Sequence, residues 1–125
     1  MSNFYQNETF SVKVIDNSYY EVRVFENHDF TVDDLQKLVE AQKNNGGLVL
    51  PFLIICEKNV LADIILLSKL SQNENNPYSK ADAFVLNSVA QKIMANFYIK
   101  INIPERPTNF FDNVDDALSW LKQYT

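Results

Sequence analysis

The chain has 125 residues, a formal net charge of −5 and a pI near 4.7. A length of this order fits one domain, read here as residues 1–125. Nine Phe, six Tyr and one Trp supply enough apolar area for a packed core, which excludes intrinsic disorder. The basic residues stand singly, with no phosphate-neutralising cluster, so neither nucleic acid nor an anionic membrane surface is an expected partner.

The start, Met1-Ser2-Asn3-Phe4-Tyr5-Gln6, carries no basic segment followed by an apolar one, so no secretory signal is expected there. The longest apolar run, Leu48–Cys56, is too short to cross a bilayer. A lone cysteine leaves no internal disulfide framework. These readings point to a cytoplasmic protein.

Thr9–Ile15 and Tyr19–Phe25 alternate around the turn cluster Asp16-Asn17-Ser18, placing Phe10, Val12 and Val14 in phase with Tyr20, Val22 and Val24. Two period-2 runs around a polar turn predict a β-hairpin. Thr31 is placed to cap a helix, with Asp33 and Asp34 in the first turn where the helix dipole favours acids. Val32, Leu35, Leu38, Val39 and Gln42 follow helical spacing, and Gly46-Gly47 suit a left-handed exit. Leu48–Cys56 then reads as a strand covered on both faces, hence paired in parallel.

A second helix is expected over Leu61–Gln72, then a polar loop over Asn73–Ser79 and a strand over Ala81–Asn87. Ser88 is placed to cap a third helix from Val89 to about Lys100. Its apolar stripe would be Val89, Ile93, Phe97 and Ile101, joined by Met94. Pro104 and Pro107 stop it. A short strand over Thr108–Phe111 and a last helix capped by Asn113 complete the order β-β-α-β-α-β-α-β-α. That order implies a mixed, mostly parallel α/β sheet with an N-terminal hairpin and four helices.

From Ala81-Asp82-Ala83-Phe84-Val85-Leu86-Asn87-Ser88, through Ala95-Asn96-Phe97-Tyr98 to Pro107-Thr108, the chain resembles uncharacterised small proteins of the Bacteroidetes. The ending, from Phe111-Asp112 through Asp116-Ala117-Leu118-Ser119-Trp120-Leu121, is similar to the closing strand and helix of SpoIIAA-like proteins. The element order resembles the STAS family, also described as STAS/SEC14-like. The resemblance implies a STAS/SpoIIAA-like fold and a role in protein–protein contact. In that family a phosphorylatable serine stands at the helix start after the central strand. Here that stretch, Cys56-Glu57-Lys58-Asn59-Val60-Leu61-Ala62-Asp63, contains no Ser or Thr.

Chemistry-bearing residues are sparse. His28 lies in the polar connector Glu26–Phe30 and reads as a surface residue. With one Cys and one His, a zinc site is not expected, and no metal or cofactor is assigned. Asp33-Asp34 and Asp115-Asp116 sit at helix starts, where adjacent side chains diverge. Phosphate-cradling loops need glycine, and the only two are Gly46 and Gly47. Cys56 ends the central strand, where open α/β sheets place ligands; it reads as a small buried apolar residue or as a nucleophile.

The segment Val60–Leu70 is apolar nearly all round, with only Asp63, Ser68 and Lys69 polar. Either neighbouring helices wrap it, or an outer side formed by Leu61, Ile65 and Leu66 meets a protein partner or a second copy. The leading expectation is a non-enzymatic STAS-like interaction module. The alternative is a domain binding a small apolar ligand, with Cys56, Glu57, Asn59, Asn87 and Ser88 around the cleft. A cysteine-dependent enzyme is the third.

Overall fold

The computed structural model describes residues 4–125. The reading of Met1–Asn3 as free of a signal pattern lies outside them. One six-stranded sheet runs in chain order: β1 (Phe4–Gln6), β2 (Phe10–Ile15), β3 (Tyr19–Val24), β4 (Leu50–Cys56), β5 (Ser79–Val85) and β6 (Thr108–Phe111). The first three strands pair antiparallel and the last four in parallel. Four helices follow in order: α1 (Val32–Asn44), α2 (Ile64–Leu70), α3 (Val89–Phe97) and α4 (Val114–Leu121). Among the described residues, no helix is long and apolar enough to cross a membrane.

The expected hairpin forms with Val12 opposite Val22. Asp16 and Asn17 both adopt left-handed backbone (φ 51° and 54°), and Ser18 N donates to Ile15 O across them at 2.8 Å. Asp and Asn tolerate that geometry, and its twist matches the flanking strands. Strand β1 is an addition to the expected order. Three residues are too few to display a period, and it pairs on the free edge of β2.

Thr31 caps α1 in a reciprocal box: Asp34 N donates to Thr31 Oγ1, and Thr31 N to Asp34 Oδ2. Gly46 and Gly47 both take positive φ, and Gly47 N closes the exit on Gln42 O. Ser88 and Asn113 cap α3 and α4 as their positions predicted.

Each step from β3 to β6 moves one strand in the same direction. Right-handed crossovers therefore put α1, α2 and α3 on one face of the sheet. Leu35 and Leu38 of α1 and Leu66, Leu67 and Leu70 of α2 share a core there with Phe10, Tyr20, Phe52 and Tyr98. Helix α4 turns to the opposite face and packs Ala117 and Leu121 on Leu53, Ala81, Ala83 and Val85.

Two expectations are corrected. The second helix starts at Ile64, three residues later than expected. Asp63 caps it, its side chain accepting from Leu66 N at 2.7 Å. The residues before it are extended: Ala62 forms a parallel bridge with Phe30, whose N–H donates to Leu61 O at 3.0 Å. The third helix, in turn, is rotated from the expected phase. Its buried positions are Gln91 and Ala95, while Val89, Ile93, Phe97 and Ile101 face outward.

Candidate functional site

The reversed phase of α3 has a polar cause. The Gln91 side chain is buried and makes three hydrogen bonds at the carboxyl edge of the sheet. Its Nε2 donates to Glu57 O (2.8 Å) and Val60 O (3.1 Å), and its Oε1 accepts from Asn87 N (2.6 Å). Val60 O and Asn87 N have no other partner, and leaving each unpaired would cost about 1–3 kcal/mol. Ala62 N donates to Met94 Sδ at 3.3 Å, joining α3 to the segment that leads into α2.

The outcome is an apolar outer surface on the helical side. Ile93 is 65 % exposed, whereas Gln91 is 5 % exposed. On α2, Ile64 and Ile65 are 68 % and 64 % exposed. With Leu61, Val89, Phe97, Ile99, Ile101 and Ile103, they make up most of the exposed large apolar side chains among the described residues; Leu48 and Val49 are the others. Of the expected contact residues, Leu61 and Ile65 are exposed. Leu66 is not: at 1 % exposure it belongs to the core, because the Asp63 cap fixes a phase in which Leu66, Leu67 and Leu70 turn inward.

Beneath this surface lies a cavity of about 100 Å³ between the sheet and helices α2 and α3. Its walls are almost wholly apolar, including Phe52, Ile54, Leu67, Phe84, Met94 and Ala95, and the exposed Leu61 also lines it. Of the five expected cleft residues, Cys56 lines it and the other four do not. Glu57 binds Arg23 Nη1 (3.2 Å) and accepts from Glu26 N (3.0 Å). Asn59, at φ 62°, donates to Asn27 Oδ1. Asn87 N is held by Gln91, and Ser88 caps α3.

Burial among these apolar walls pushes the Cys56 thiol up to about 12. That is the reverse of what an activated nucleophile needs. Tyr98, also in the cavity wall, has a buried hydroxyl without a hydrogen-bond partner. Desolvation raises its pKa, with Asp82 adding to the rise and Arg106 opposing it, so the phenol stays protonated and able to donate.

The neighbouring Asp82 and Arg106 form an ion pair that sequence reading did not find. Arg106 Nε and Nη2 lie 2.8 and 2.7 Å from Asp82 Oδ2, with both side chains buried. Arg106 also donates to Leu70 O and Asn73 Oδ1, and Ser79 Oγ donates to Asp82 Oδ1. The network ties β5, the end of α2 and the approach to β6 together below the cavity. A signal was present in Asp82, a lone charge inside the otherwise apolar Ala81–Leu86. His28 is exposed, with Nδ1 3.0 Å from Glu26 O.

The structure is similar to a crystal structure of an uncharacterised protein of the DUF3478 family from Shewanella loihica PV-4, described as having a SpoIIAA-like fold. The TM-score is 0.62 at 14 % sequence identity, covering 94 % of this chain and 98 % of that one. That likeness agrees with the STAS/SpoIIAA-like fold expected from the resemblance. No curated protein matches the sequence. A family model, described as a domain of unknown function (DUF7793), matches residues 15–125, and the chain belongs to that family.

Proposed function

We propose that this domain is a non-enzymatic interaction module whose α2–α3 surface docks a second copy of the same chain. The observation that carries this reading is the outward stripe Val89–Ile93–Phe97–Ile101, with Ile64 and Ile65 beside it on the helical side. Scattered exposed apolar residues are ordinary, but a run along one helix face, next to a second apolar helix, is the kind of surface that association covers. Helix faces of this sort suit an isologous contact, in which the same patch serves both copies about a two-fold axis. Burial raises the Cys56 thiol pKa, which argues against a cysteine-dependent enzyme.

A concentration series of ¹H–¹⁵N NMR spectra tests the reading. Amide signals of Ile64, Ile65, Val89, Ile93 and Phe97 should shift and broaden together as concentration rises through the micromolar range. A spectrum unchanged at those positions up to millimolar concentration refutes it.

A further inference from the structure

We infer that the turn Tyr98–Ile103, at the end of α3, is a strained two-state latch on the docking surface. The state described presents Ile99, Ile101 and Ile103 outward; a relaxed, α-helical state turns that ridge away. The inference deepens the docking reading and rests on it for what selects the strained state.

Unfavourable terms gather in this short stretch. Helix α3 widens into a π-helical turn over Tyr98–Asn102, a form that is rare and recurs at functional sites. The turn ends at Ile103 with φ 50° and ψ 76°. A β-branched side chain makes left-handed backbone costly, and Pro104 in the next position independently presses Ile103 toward extended backbone. Ile103 is 72 % exposed, so packing of its side chain does not offset the strain. Inside the same turn, the Tyr98 hydroxyl and Asn102 Oδ1 are buried without protein partners.

Strained backbone persists where its surroundings over-determine it, and here both flanks are anchored. Upstream, Gln91 ties α3 to Glu57 and Val60. Downstream, Glu105 N donates to Ser71 O (2.9 Å), Glu105 Oε1 accepts from Asn73 N (2.7 Å), and Arg106 pairs with Asp82. Between these anchors the turn can relax by shifting its hydrogen bonds from i→i+5 to α-helical register. Such a shift rotates the residues beyond it by about 100°, one residue's share of an α-helical turn. Ile101 then leaves the line of Val89, Ile93 and Phe97, and Ile103 reaches the extended backbone that Pro104 favours. The outward isoleucines gain burial only when a partner covers them, so docking of a second copy selects the strained state.

The test is ¹⁵N relaxation dispersion on dilute and concentrated samples of the chain. In the dilute sample, amides of Tyr98–Ile103 should exchange on the microsecond-to-millisecond scale with a minor state on the order of a few per cent, while those of α1 stay flat. Ile103→Asn, which tolerates left-handed backbone, should remove the exchange. Pro104→Ala, which leaves every isoleucine in place, should do the same. In the concentrated sample the minor state should shrink as the Ile64 and Ile93 amides shift. Flat profiles over Tyr98–Ile103 in the dilute sample, or exchange that survives both substitutions, overturn the inference and leave the docking reading standing. So does a minor state of constant population while Ile64 and Ile93 shift. No concentration dependence at Ile64 and Ile93 removes the docking reading, and the latch with it.

Discussion

Gln91 Nε2 donates to the main-chain oxygen of Glu57 at 2.8 Å, so a helix on one crossover closes the carboxyl end of a strand on another. The same amide also serves Val60 and Asn87. This bonding fixes the rotation of α3 and thereby sends Val89, Ile93 and Phe97 outward. Gln91→Leu should leave Val60 O and Asn87 N without partners, and Glu57 O with only its 3.3 Å bond from Val60 N, and destabilise the fold by roughly 2–4 kcal/mol. Urea denaturation followed by circular dichroism measures this; a loss below about 0.5 kcal/mol would mean that the phase of α3 is set elsewhere.

Removing one partner from the buried Asp82–Arg106 pair should be costly. Arg106→Met leaves an unpaired buried carboxylate and should cost about 3–5 kcal/mol. The double variant Asp82→Leu/Arg106→Met should recover most of that loss, because no uncompensated charge is left. Denaturation of the wild type and the two variants decides the matter.

Raised acid groups make stability fall at high pH. The Cys56 thiol, ordinarily near 9, is held up to about 12 in the fold. Its contribution is therefore fully present below about pH 9 and is lost as pH climbs to about 12, because the unfolded chain releases the proton first. The raised Tyr98 phenol acts in the same direction. Stability measured between pH 8 and pH 11 should decline more steeply for the wild type than for Cys56→Ala. Iodoacetamide at pH 8 should label Cys56 at a rate that follows unfolding.

Much of the fold was legible because local rules and tertiary demands agreed. The period-2 phases of Phe10–Val12 and Tyr20–Val24, the Thr31 cap, and the unbroken apolar strand ending at Cys56 all follow from residue chemistry acting over a few positions. The surface was legible only in part. Leu61 and Ile65 are outside, but Leu66 is inside, because Asp63 caps the helix later than the apolar run begins. The stripe on α3 looked like a core face by spacing alone. Its orientation is decided by what Gln91 bonds to, and Glu57 and Val60 are remote in sequence. The Asp82–Arg106 pair is likewise a long-range contact that periodicity does not display. The cavity depends on how α2 and α3 seat on the sheet, which no local pattern encodes.

The central claim is that the outward faces of α2 and α3 dock a second copy of the chain. Sedimentation velocity on the wild type, Ile65→Glu, Ile93→Glu and the off-face control Val49→Glu tests it most directly. The account predicts a concentration-dependent dimer for the wild type and Val49→Glu. It predicts folded monomers for Ile65→Glu and Ile93→Glu, with unchanged circular dichroism. A wild type that stays monomeric at every concentration, or a dimer that survives both charged substitutions, would contradict it.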